Sequence, residues 1–259
     1  MESLNKVAKI TLLFWVMKII CTTLGETLGD FFSMSLLGGT LQLNMDSAYL
    51  ITLASMLVIF VVVLSIQLSL KKFTPPIYWL VIIATTTLGT EISDFMDRTL
   101  HFGYAFGSLV LVICLLTTLL LWYKRYRSLG VYPIFEKPKE IFYWVAILFS
   151  NSLGTAFGDF LSDNAGFSYL QGALITASII VVVILLHYFV KKINAVLLFW
   201  IAFVFTRPFG ATFGDFLTKP LADGGLNFSR LLASLTCLVL IVTLIFVSNK
   251  MQKSDTQTD

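Results

Sequence analysis

Four times along the chain an aspartate is followed by a phenylalanine and preceded, at fixed distances, by a small residue, a glycine and a tryptophan. The segments LGETLGDF, LGTEISDF, LGTAFGDF and FGATFGDF bring Asp30, Asp94, Asp159 and Asp215 into register. Phe31, Phe95, Phe160 and Phe216 follow them, Gly25, Gly89, Gly154 and Gly210 lie five residues before, and Trp15, Trp79, Trp144 and Trp200 fifteen before. Recurrence at a fixed period means one structural unit used repeatedly, with neighbouring copies completing each other's packing. The halves are related as well, since Tyr49-Leu50, Val61 to Val63 and Lys71-Lys72 return as Tyr169-Leu170, Val181 to Val183 and Lys191-Lys192.

The solvent for this unit follows from composition. With 57% hydrophobic and 13% charged residues over 259 positions, the chain falls outside the range of water-soluble domains. A helix crossing a bilayer needs ~20 mostly apolar residues. Eight runs satisfy this: Ile10 to Phe32, Ala48 to Leu70, Ile77 to Phe95, Tyr104 to Tyr123, Ile141 to Leu161, Tyr169 to Val190, Ile193 to Leu217 and Arg230 to Val247. The first run follows Lys6 and Lys9 as a signal peptide would, but it is too long, is interrupted by Lys18 and lacks a cleavage motif.

The expected fold is therefore an all-α integral membrane bundle of eight transmembrane helices, built as four two-helix repeats over 6–72, 75–127, 139–192 and 193–248. Residues 1–248 form one transmembrane domain, a linker over 124–140 joins the halves, and 249–259 form a polar cytoplasmic tail. An even number of spans per repeat makes the repeats parallel and the bundle pseudo-symmetric, unlike inverted-repeat transporters. Thirteen of the 18 basic residues fall before the first span or after an even-numbered one, which predicts cytoplasmic termini.

Tandem two-helix repeats with this tryptophan and downstream G-x-x-x-G/S-D-F resemble a family of bacterial multi-pass membrane proteins built from a repeat of unknown function, often labelled only "membrane-anchored protein". The resemblance covers about residues 6–248. It implies a fold unit and a bacterial inner-membrane location, and it implies no activity.

Function must then be read from the few polar residues inside the spans. Gly25 and Gly29, Gly89 and Ser93, Gly154 and Gly158, and Gly210 and Gly214 form small-xxx-small pairs that let helix backbones approach closely in lipid. A packing role accounts for them fully. The aspartates are harder to explain by packing, because one at the centre of a spanning helix costs roughly 2.5–3.5 kcal/mol on insertion scales. Fifteen residues place each aspartate about 22 Å from its tryptophan, so a position at the outer interface, facing water, is the alternative.

Glu26 and Glu91 lie four and three residues before Asp30 and Asp94 on the same helix face. The odd-numbered spans thus hold six carboxylates, Glu26, Asp30, Glu91, Asp94, Asp159 and Asp215, against Lys18 and Arg207. The even spans hold no carboxylate. Odd helices around a polar interior with even helices against lipid would explain this. The surplus carboxylates would carry protons or bind a cation. Oxygen donors, including Thr22, Thr23, Thr86, Thr87 and Thr155, suit protons, Mg²⁺, Mn²⁺ or Ca²⁺.

Metal ligation is expected at Glu26, Asp30, Asp94, Asp159 and Asp215. Lys18 and Arg207 either pair with neighbouring carboxylates or, for Arg207 beside the helix-breaking Pro208, form a gate. Asp97, Arg98, His101, Asp163, Lys219 and Asp223 are expected in solvated loops or at an entrance, and His187 at the cytoplasmic interface. The tryptophans suit either an interfacial belt or packing between repeats. Cys21, Cys114 and Cys237 are isolated, with no zinc or disulfide spacing.

No nucleotide loop, nucleophile–base pair or HExxH motif points to an enzyme. A small-cation transporter lined by the six carboxylates fits best, with lipid and a small cation as partners. A bound divalent cation is then the expected inorganic component, with no organic cofactor and no nucleic acid. The alternatives are a scaffold or sensor partner, and an organic-cation transporter with an aromatic cavity above the acids. The sequence fixes no oligomeric state.

Overall fold

The computed structural model describes residues 5–190 and 192–255, the last six as backbone only. Among the described residues there are eight α-helices and no strand. They are α1 (Leu12–Asp30), α2 (Met45–Ser69), α3 (Pro75–Asp94), α4 (Tyr104–Tyr126), α5 (Lys137–Asp159), α6 (Tyr169–Phe189), α7 (Ala195–Thr218) and α8 (Arg230–Asp255). Seven are long and apolar enough to cross a membrane, which makes the chain a multi-pass membrane protein in architecture. The exception is α3, whose Thr85, Thr86, Thr87 and Thr90 dilute its hydropathy and are all buried.

The helix starts follow local chemistry. Thr11, Asn44, Ser168 and Asn194 accept backbone hydrogen bonds as N-caps of α1, α2, α6 and α7, satisfying donors that the first helical turn leaves free. Proline opens α3 and α5 at positions where its missing N–H costs nothing. At the other end, α1, α3 and α5 pass directly from their aspartate into π-helical turns, Phe31–Thr40, Phe95–Thr99 and Phe160–Asn164. In contrast, α7 continues as α-helix to Thr218.

The inner helices α1, α3, α5 and α7 form a closed ring in which each touches the next and α7 returns to α1. The outer helices do not cover their own repeat's inner partner. Instead, α2 lies on α3, α4 on α5, α6 on α7 and α8 on α1. Each repeat is thus completed by the one before it.

The ring closes on the repeated glycine. A Cβ on Gly25 would fall 2.5 Å from Thr86 Cβ, one on Gly89 3.0 Å from Asn151 Cβ, one on Gly154 2.4 Å from Arg207 Cβ, and one on Gly210 2.5 Å from Thr22 Cβ. Thr86, Asn151, Arg207 and Thr22 each sit eight residues before their own aspartate. The same contact is therefore made four times in one rotational sense, which requires parallel inner helices in matched register. The aromatic end repeats the pattern, since Phe14 packs on Trp79 at 5.7 Å, Tyr78 on Trp144 at 5.4 Å and Phe199 on Trp15 at 5.6 Å. Trp79, Trp144 and Trp200 are buried, so the tryptophans pack between repeats.

The tail and the linker differ from the sequence expectation. Helix α8 runs on to Asp255 through the segment expected to be a tail, with residues 256–259 outside the described residues. The linker shortens to 127–136, because α4 winds through Lys124 and Arg125 and α5 begins at Lys137. It also does more than connect: Val131 and Ile134 are buried in the aromatic core, and Ile134 accepts from Lys6 N through its carbonyl and donates its N–H to Asn5 Oδ1. Lys6 itself is buried in an ion pair with Glu140. Lys191 lies outside the described residues, as do the side chains of Lys250 and Lys253.

Overpacking a tight interface costs typically 1–3 kcal/mol. Gly25→Ala and Gly210→Ala, whose new methyls would also meet neighbouring backbone carbons at 2.8 and 2.7 Å, should therefore lower the thermal midpoint of the detergent-purified protein clearly. Gly158→Ala, whose Cβ would meet Ala211 Cβ at 3.1 Å, should lower it less. Equal midpoints for all three variants would contradict the glycine-closed ring.

Candidate functional site

The ring brings successive residues of the four inner helices into layers. At the end where α1 begins, Phe14, Tyr78, Tyr143 and Phe199 are all buried, and the Tyr78 and Tyr143 hydroxyls lie 2.5 Å apart. Deeper in come Lys18, Ile82, Ile147 and Phe203, then Cys21, Thr85, Ser150 and Thr206, then Thr22, Thr86, Asn151 and Arg207, every one buried. The core thus changes from aromatic to hydroxyl and amide, and the carboxylates follow. Asp30, Asp94, Asp159 and Asp215 are themselves buried and do not face water.

The two cations of the spans occupy this polar core differently. Lys18 donates to Asn151 Oδ1 at 3.0 Å on the opposite helix α5, and its ammonium stands 4.3 Å over the Phe203 ring. Among the described residues no carboxylate pairs with it, unlike the first of the two roles expected for these bases. Asn151, held by Thr85 at 3.2 Å, supplies the acceptor instead. Arg207 does pair, with Glu26 at 2.8 Å, and it reaches across the ring to Thr90 Oγ1 at 2.5 Å. Its Nε and Nη1 have no hydrogen-bond partner among the described residues.

The aspartates fall into two bridged pairs. Arg98 contacts Asp94 at 3.1 Å and Asp159 at 3.8 Å. Lys219 contacts Asp30 at 3.3 Å and Asp215 at 3.2 Å, and Arg230 adds a contact to Asp30 at 3.4 Å. Both bridging bases sit four residues after an aspartate, in repeats two and four. Each links that aspartate to the one in the next repeat. They were expected in loops or at an entrance; with side chains 31% and 14% exposed, they are counter-ions built into the site. Asp97 is also buried, beside Ser93, whereas His101, Asp163 and Asp223 are exposed as expected. His187 is exposed too.

Burial disfavours the Lys219 ammonium, but Asp30 and Asp215 beside it hold its pKa above the ordinary lysine value. The i, i+4 spacing from Asp94 and Asp215 was the sequence signal for Arg98 and Lys219.

The six carboxylates are consequently not equivalent. Oxygens of Glu26, Asp30 and Asp215 lie within 4.8 Å of one another, a spacing that can hold a metal ion. Asp94 and Asp159 stand apart from that group, joined by Arg98. Glu91 is fully buried, and among the described residues neither of its carboxyl oxygens has a hydrogen-bond partner. It packs toward α1, where a Cβ on Gly29 would fall 2.8 Å from Glu91 Oε1. Glu91 therefore presents two buried acceptor oxygens that no group of the described residues contacts by a hydrogen bond.

Gly29, Gly158 and Gly214 admit their neighbours in the same way, with hypothetical Cβ contacts of 2.8, 3.1 and 3.1 Å. They lie one residue before an aspartate and keep the carboxylate layer narrow.

Removing one partner of a buried ion pair leaves the other charge stranded, at a cost of roughly 3–5 kcal/mol. Arg207→Leu should therefore destabilise the purified protein severely, and adding Glu26→Gln should restore a large part of the loss. A double variant no more stable than Arg207→Leu alone would show that the pair does not carry this energy.

Among curated proteins and among solved structures, no protein matches the chain. The family described as Repeat of Unknown Function (DUF347) matches it four times, over residues 13–73, 77–128, 142–192 and 198–253. Those segments are the four helix pairs of the ring, and the chain belongs to this family.

Proposed function

We propose that the protein carries a small cation across a bacterial inner membrane, with both termini in the cytoplasm and α3 spanning the bilayer with the other seven helices. The observation that carries this reading is the buried convergence of Glu26, Asp30 and Asp215 within 4.8 Å, next to the unpartnered Glu91. A set of carboxylate and hydroxyl oxygens suits Mn²⁺ or Mg²⁺, and the same carboxylates can exchange protons during transport. The aromatic layer of Phe14, Tyr78, Tyr143 and Phe199 lies at the cytoplasmic end in this orientation. Cargo held at the acids would cross only when that layer opens.

A second reading, a membrane scaffold or sensor partner, draws support from Arg98, Lys219 and Arg230, which neutralise the aspartates from within the chain. An organic-cation carrier has less support. Cavities of about 320 and about 200 Å³ lie on the flanks of the ring, and no carboxylate lines either one.

Single Asp30→Asn, Asp94→Asn, Asp159→Asn and Asp215→Asn variants, assayed for Mn²⁺ and Mg²⁺ uptake in cells, separate these readings. Transport predicts flux reduced about tenfold or more for Asp30→Asn and Asp215→Asn, the loss of one charged ligand being worth at least 1.4 kcal/mol. Unchanged flux in all four variants, with only thermal stability reduced, would favour the scaffold.

A further inference from the structure

The geometry points to Lys219 as a tethered cation that fills the Glu26–Asp30–Asp215 site in the absence of cargo and is displaced when a divalent metal ion binds there. This inference rests on the cation-carrier reading and names the chain's own competitor for its cargo. The Lys219 ammonium is placed between two of the three carboxylates that converge, 3.3 Å from Asp30 and 3.2 Å from Asp215. A metal ion held by those oxygens would require the same space. Arg207 holds Glu26 Oε2, and Arg230 shares Asp30 Oδ2 with Lys219, so each of these two acids keeps one base when the lysine leaves.

An independent feature points to a cation at this place. Glu91 is fully buried, has no partner for either oxygen among the described residues, and faces Gly29, the residue before Asp30. Its charge would lie within electrostatic reach of Asp94, Asp30 and Glu26, with Arg98 as a weaker opposing charge. Glu91, on α3 three residues before Asp94 and against Gly29 of α1, thus adds between the two bridged pairs a carboxyl group that no base of the described residues contacts. The other bridged pair differs: Arg98 spans Asp94 and Asp159, and among the described residues these two acids belong to no metal-holding cluster.

Lys219 is also placed where it can leave. It is the residue at which α7 stops, with extended backbone (φ −70°, ψ 156°) and Pro220 after it. Arg98, by comparison, lies within a π-helical turn. The segment after Pro220 folds back on α7 through hydrogen bonds from Leu226 N to Phe216 O and from Asn227 N to Lys219 O, at 2.7 and 2.9 Å. It then enters α8 at Arg230. Lys219 and Arg230 thus pin both ends of one connection to Asp30, and displacing Lys219 frees one end.

Mn²⁺ binding to the purified full-length protein, followed by electron paramagnetic resonance, tests this with Lys219→Gln and Lys219→Arg. Removing the competing charge should tighten Mn²⁺ binding by roughly tenfold or more, while Lys219→Arg, which keeps a cation in place, should not tighten it. Acetylation of the wild-type protein, read by mass spectrometry at Lys219, requires no variant to fold and should rise when Mn²⁺ is added. Mn²⁺ bound by wild type with no tightening in Lys219→Gln, or with unchanged acetylation of Lys219, would overturn the tethered cation and leave the carrier reading intact. Mn²⁺ bound by neither protein would overturn both.

Discussion

Four glycines, one per repeat, set the distance between the inner helices, and the rest of the structure depends on that distance. At Gly25, Gly154 and Gly210 the neighbouring helix stands so close that even a methyl group would collide, and at Gly89 one would be in tighter than ordinary contact. Helices in lipid gain little from burying apolar surface against each other, so close backbone approach, dispersion and hydrogen bonds must hold them together. The threonines exploit this spacing, as Thr22, Thr86 and Thr90 donate to backbone carbonyls of Thr206, Cys21 and Gly25 on the adjoining helix.

A ring closed this tightly leaves its polar groups few choices. The polar side chains that point into this core must find their partners within it. Lys18 does so through Asn151, and Arg207 through Glu26 and Thr90. Copies of one motif have thereby diverged into different chemistry at equivalent positions. Threonine, threonine, asparagine and arginine occupy the same layer, and repeats two and four alone supply the bridging bases. The fourfold backbone carries a twofold arrangement of charge.

Much of this was legible in the sequence because it depends on period and spacing. The helix pairs, the segregation of carboxylates to odd helices and the small-residue faces follow from residue offsets that the polypeptide must honour. The partners of the charges are set by contacts between distant segments and were less accessible. Asp30 meets Lys219 and Arg230 only because the ring closes α7 and α8 onto α1, and Lys18 meets Asn151 only because α1 and α5 face each other across it. The i, i+4 relation of Arg98 to Asp94 and of Lys219 to Asp215 was in plain view, yet it has meaning only if the helix continues past its aspartate. The π-helical turns that follow three of the four aspartates leave no comparable mark in composition.

The displaced pairing of outer on inner helices bears on how such a chain came to exist. A lone helix pair cannot cover its own inner helix, because in this architecture the cover always comes from the preceding unit and α8 must return to α1. Four separate copies would satisfy one another only as a closed tetramer exchanging helices around an axis. Joined end to end, they form an internalised homotetramer, and the joining lets each position around the axis change by itself. An asymmetric set of charges, one arginine here and one lysine there, is available to a fused chain and closed to a true homotetramer, in which every substitution appears four times.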